Sequence, residues 1–108
     1  MPMKSDKKVI ASIVRHKDIE KVIKYKENIK SVFILISDFI NIKDIVQLFH
    51  DNDLEVYIHV EMIKGLKLDE FGFKYLKNVV KPDGIITTKS SHVNLAKKNN
   101  IYVIQRFF

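Results

Sequence analysis

Short apolar runs alternate with longer amphipathic segments along this chain, and that alternation limits its fold more than any other feature. Strand-like runs cover Lys8–Ile13, Ser31–Ser37, Glu55–Glu61, Gly84–Thr88 and Ile101–Gln105. Helical spacing fills the gaps between them. Asp18–Asn28 carries Ile19, Val22 and Ile23. Ile42, Ile45, Val46 and Phe49 fall at i, i+3, i+4 and i+7 behind a candidate cap, Asn41. Asp69–Val80 opens on Asp69 and aligns Phe73, Leu76 and Val80. Ser90 or Ser91 starts a shorter helix through Val93 and Ala96, which Asn99-Asn100 ends. The order βαβαβαβαβ, with strands apolar on both faces, predicts a parallel sheet with right-handed crossovers.

Two α/β folds answer that order. One is an open, five-stranded, doubly wound sheet. The other is an incomplete run of (β/α) units from a TIM-barrel-like fold, whose closed form takes about 250 residues. At 108 residues the chain predicts a single domain, and length by itself favours the open sheet. The absence of cysteine excludes disulfides and thiolate chemistry and fits a reducing compartment. No apolar run approaches the ~20 residues that cross a bilayer. The basic start Met1–Lys8 and the short apolar run Val9–Val14 do not form a signal peptide. The expectation is a cytoplasmic protein with no membrane partner. A net charge of +6 permits a polyanionic partner such as nucleic acid. The same charge also fits a solvated surface, because the lysines are scattered.

Both folds place ligands at the carboxyl ends of the strands. Those ends are polar here: Ser37-Asp38, His59-Val60-Glu61, Thr87-Thr88-Lys89 and Gln105-Arg106. The stretch Val56–Gly72 is the most telling. Strand alternation puts Val56, Ile58 and Val60 on one face, and Tyr57, His59 and Glu61 on a face that looks toward a site. Structural readings stand beside the functional ones. Asp38 suits a turn, His59 a satisfied core position, Thr87 and Thr88 a strand, and Lys89 and Arg106 solvent. Gly65 suits a permissive loop backbone. The chain has no phosphate loop, dinucleotide fingerprint, metalloprotease motif or nucleophile elbow. Its four histidines, His16, His50, His59 and His92, lack metal-ligand spacing, and no cofactor is implied. A second reading is an enzyme with an acidic rim, in which Asp38 and Glu61 hold Mg²⁺ or share acid–base work.

Three segments resemble the glycerol-3-phosphate-responsive antiterminators. They are Ser31–Ile42, His59–Gly72, and Pro82–Lys89 followed by Ala96-Lys97-Lys98 and Gln105-Arg106-Phe107-Phe108. The resemblance spans the whole chain. It departs at Glu61, where relatives usually carry aspartate, and at Phe108, where relatives continue through a (β/α)8-type barrel. This chain resembles the first five strands and four helices of that barrel. The resemblance implies a regulator rather than an enzyme. It would sense glycerol 3-phosphate, bind the leader of a glycerol-catabolic messenger RNA and prevent early termination. Barrel phosphate sites usually follow strands seven and eight, which this chain lacks. The matching positions left for effector contact are Asp38, His59, Glu61, Lys89 and Arg106. An unclosed barrel also leaves two unpaired edges. Three outcomes follow: an open sheet, a homo-oligomer that covers the edges, or a remnant of little function. A barrel-like partial sheet that self-associates is the favoured expectation.

Overall fold

The computed structural model describes residues 9–107, so the basic start Met1–Lys8 and the terminal Phe108 lie outside the described residues. Five parallel strands form the main sheet: β1 (Val9–Ile13), β2 (Ile29–Ile34), β4 (Glu55–His59), β6 (Gly84–Thr87) and β7 (Val103–Gln105), in the order β1-β2-β4-β6-β7. Two short strands, β3 (Ser37–Asp38) and β5 (Ile63–Lys64), pair in a separate parallel ribbon at the carboxyl end. The helices are α1 (His16–Lys24), α2 (Ile42–Asp51), α3 (Glu70–Tyr75) and α4 (Ser90–Lys98).

Each strand of the main sheet neighbours the next one along the chain, and the strand order never reverses. Right-handed crossovers then carry every helix to the same face. A doubly wound sheet covers both faces, so this topology corrects the length-based preference for one. The result, among the described residues, is a one-sided wall of (β/α) units that does not close, with β1 and β7 as its edges.

The cross-strand register explains which residues face the helices. One row runs Ile13, Ile34, Ile58, Ile85, Val103. Its four isoleucines join Val22, Val46, Phe49, Phe73 and Leu76 in one buried cluster, and the half-buried Val103 packs against it. The neighbouring row runs Ser12, Phe33, Tyr57, Gly84 and belongs to the other face. Phe33 and Tyr57 there are only half-buried. Their rings meet edge to face at 5.5 Å. Ile86 shares that face; it is fully buried yet stands outside the helix-packed cluster.

Several boundaries differ from the sequence expectation, for local reasons. α1 begins at His16 because Asp18 reaches back. Its Oδ2 accepts the amides of Val14 (3.0 Å) and Arg15 (2.9 Å), satisfying donors at the helix start. The helix stops at Lys24, a tight turn covers Lys26–Asn28, and β2 starts two residues early at Ile29. Asp69 caps α3 as expected, its Oδ1 accepting Gly72 N at 2.9 Å. Asn41 precedes α2 without a side-chain cap bond, and Lys89 rather than a serine sits at the α4 cap. α3 continues as a π-helical turn, Leu76–Val80, that ends on a left-handed Lys81 (φ 57°).

Candidate functional site at the carboxyl rim

The strand ends are built in two layers. β2 stops at Ile34 and β4 at His59; the chain then breaks and re-pairs as β3 and β5. Phe39 N donates to Lys64 O (2.8 Å), which extends this ribbon. Gly65 follows it at φ 85°, a backbone that glycine adopts without strain, as the sequence reading anticipated.

Glu61 is where the structure departs most from simple alternation. β4 ends at His59, and Val60–Met62 forms a 3₁₀ turn that swings Glu61 away from the Tyr57–His59 face. Its carboxylate meets β6 and α4 instead. Thr87 Oγ1 donates to Oε2 at 2.6 Å, and Thr88 donates to Oε1 through its amide (3.0 Å) and its hydroxyl (3.3 Å). His92 Nδ1 faces Oε2 at 2.6 Å, with only 11% and 15% of the two side chains exposed. Thr87 Oγ1 also lies 3.3 Å from His92 Nδ1 and accepts Lys89 N at 3.2 Å. Burial raises the Glu61 pKa, but the bonds from Thr87, Thr88 and His92 outweigh it and hold the group below its ordinary value. The cluster latches the turn after β4 to the loop after β6.

Asp38 makes a turn. Its Oδ1 accepts Asn41 N (2.8 Å) and its Oδ2 accepts Asn41 Nδ2 (3.1 Å). The Asn41 amide is the main reason its pKa is lowered, with help from the Asn41 side chain; the nearby His16 lowers it further. Both rim carboxylates are thus engaged by separate neighbours. Among the described residues no group of three histidine, aspartate or glutamate side chains is placed to hold a metal ion.

The other expected site residues are dispersed. His59 lies on the face opposite the helices, its Nδ1 buried with no hydrogen-bond partner in the structure. Lys89 is exposed at the start of α4, and Arg106 is exposed just beyond β7, its amide donating to Thr87 O at 2.8 Å. The structure also gathers basic residues that lie far apart in the sequence. A cavity of about 130 Å³ opens at the carboxyl end of β1, lined by Arg15, His16, Ser37 and Lys64 among apolar neighbours. In the sequence His92 is one of four scattered histidines, and its position in the first turn after Thr87-Thr88-Lys89 is the signal for its place in the latch.

A one-sided parallel (β/α) wall with its polar groups at the carboxyl rim defines the class of this molecule. More particularly, the chain belongs to the glycerol-3-phosphate responsive antiterminator family, whose model matches residues 9–108. Two solved structures are similar to it. The glycerol uptake operon antiterminator regulatory protein of Listeria monocytogenes is 26% identical, with a TM-score of 0.86 over 95% of this chain and 55% of that one. A glycerol uptake operon antiterminator-related protein of Thermotoga maritima is 30% identical, with a TM-score of 0.78 over 92% of this chain and 54% of that one. The uncharacterized protein YgcP of Escherichia coli K12 is 30% identical over 77 residues, which are 71% of this chain and 40% of YgcP. The chain spans about half the length of these relatives or less.

Proposed function

We propose that this chain is an RNA-binding antitermination regulator of glycerol catabolism that responds to glycerol 3-phosphate. The family match across residues 9–108 carries the reading. The rim geometry agrees with it. Arg15, His16 and Lys64 surround a cavity at the start of α1, and cations at a helix N-terminus suit a phosphate. Among the positions carried from the family, Asp38 and Glu61 shape the rim loops. His59, Lys89 and Arg106 do not line this cavity, and the phosphate is assigned to Arg15, His16 and Lys64 instead. Lysine clusters supply RNA phosphate contacts, and binding should weaken steeply with added salt. The exposed edges β1 and β7 are proposed to drive self-association, which sedimentation would read as a concentration-dependent mass.

Calorimetric titration of the full chain tests the effector arm. Glycerol 3-phosphate should bind, glycerol should not, and Arg15→Ala/Lys64→Ala should weaken binding at least tenfold. Equal heats for glycerol and glycerol 3-phosphate would sink the effector assignment. A gel-shift titration against a glycerol-operon leader RNA tests the RNA arm, and salt-insensitive or absent binding would sink that one.

A further inference from the structure

A second cleft, of about 390 Å³, opens at the opposite ends of the strands, before β6 and β7. Lys77, Lys81, Asp83, Asn100 and Tyr102 line it. Its make-up is unlike the rim cavity: two lysines, an amide and an aromatic ring share one opening. Lys77 Nζ donates to Asn100 O at 2.9 Å, which places that ammonium at the cleft wall. Lys81 and Asn100 both sit in left-handed backbone (φ 57° and 58°), so tight corners fix the two flanks. Asp83 does not leave its carboxylate idle: Oδ2 accepts Val56 N at 2.7 Å and meets His50 Nε2 at 2.8 Å. Lys97 stands in the last turn of α4, whose carbonyl accepts Asn100 N.

Tyr102 is 64% exposed, yet its ring is held in place. It packs edge to face on Tyr57 at 6.2 Å. It also lies over Gly84, where an added Cβ would come within 2.9 Å of Tyr102 Cδ2 and of Tyr57 Cδ1. Only glycine lets the two rings approach so closely. A braced, solvent-facing aromatic ring beside ammonium groups is what a single strand needs: a surface on which a base stacks and cations for its phosphates.

We infer that single-stranded RNA docks in this amino-end cleft, with a base stacked on Tyr102 and flanking phosphates on Lys77 and Lys81. The inference rests on the RNA-binding reading and names the surface that does the binding. It places the RNA at the far ends of the strands from the effector cavity.

The test uses the full chain and fluorescence anisotropy with two labelled 12-nucleotide RNAs, oligouridine and a mixed-sequence pool. Lys77→Glu/Lys81→Glu should weaken binding at least tenfold and lower the salt slope by about 1.4, or roughly 0.7 for each lost phosphate contact. Tyr102→Ala should weaken it at least fivefold, whereas Tyr102→Phe, which keeps the stacking face, should bind as wild type does. Lys17→Glu, on α1 and away from the cleft, should leave binding unchanged. Photocrosslinking with 5-iodouridine RNA should map to Tyr102. Thermal melts check that the variants fold, since all the changed side chains are exposed. If wild type binds but the cleft variants bind equally well, the surface is wrong and the RNA reading survives. If wild type binds neither RNA, both fall.

Discussion

The two faces of the main sheet are built to different rules. The helix-packed face is aliphatic across its middle: Ile34, Ile58 and Ile85 lie in one cross-strand row and are fully buried. The opposite face mixes ring, hydroxyl and acid. Ser31 Oγ and Tyr57 OH both donate to Glu55 Oε1, at 3.2 and 3.0 Å. Phe33 on β2, Tyr57 on β4 and Tyr102 just before β7 form a chain of edge-to-face rings. The first face holds the fold by apolar burial. The second relies on a few directional contacts. That division teaches how much each kind of contact contributes to holding the fold.

The largest effect should come from Ile58→Ala on the packed face. Loss of a fully buried side chain there should cost about 2–5 kcal/mol in urea denaturation. A cost as small as that of an open-face change would break the comparison. Gly84→Ala comes next, on the open face. Its Cβ would strike the rings of Tyr57 and Tyr102 and Tyr102 O, each at 2.9 Å, for a cost of about 1–3 kcal/mol. Near-ultraviolet dichroism should show the tyrosine signal altered.

Tyr57→Phe should be milder, about 1 kcal/mol, because it removes only the hydroxyl's bond to Glu55. The same phenol gives a pH signature. Burial first, then the Glu55 hydrogen bond, push its pKa up to about 12. The folded state thus favours the neutral phenol. Its contribution is intact below the unfolded value near 10 and is lost as pH rises through 12. Absorbance at ~295 nm should show one late-titrating tyrosine, absent in Tyr57→Phe.

The effect most confined in pH belongs to Glu61, which ties the helix side to the rim. Its folded pKa lies below its unfolded value. Stability from the latch is therefore full above the unfolded value and fades as pH falls from there through the folded pKa. Glu61→Gln should remove that acid-side slope from the melting profile while leaving the alkaline side unchanged.

These faces were partly readable beforehand. Period-two alternation put Val56, Ile58 and Val60 together, and all three are buried. It failed at Glu61 because the strand had already turned into a 3₁₀ segment, and nothing in residues 60–62 announces that turn. The β3–β5 ribbon was unreadable for a related reason. Two-residue strands carry no period, and the pairing of Ser37 with Ile63 is a long-range contact. The two clefts depend on which loops meet at each end of the sheet, so Arg15 with Lys64, and Lys81 with Tyr102, could not be joined from spacing alone. Parallel topology and helix order were legible because every unit repeats the same apolar signal.

The strand order β1-β2-β4-β6-β7 has a consequence for how the protein is made. Each new (β/α) unit pairs with the one synthesised just before it, so a nascent chain emerging from the ribosome always has its docking partner already present. Contacts stay short in sequence, and folding can advance from the first unit onward at the pace of translation. The latch obeys the same rule. Glu61 meets Thr87, Thr88 and His92 26 to 31 residues on, the span across which β4 pairs with β6, so the rim around it sets once α4 has been made.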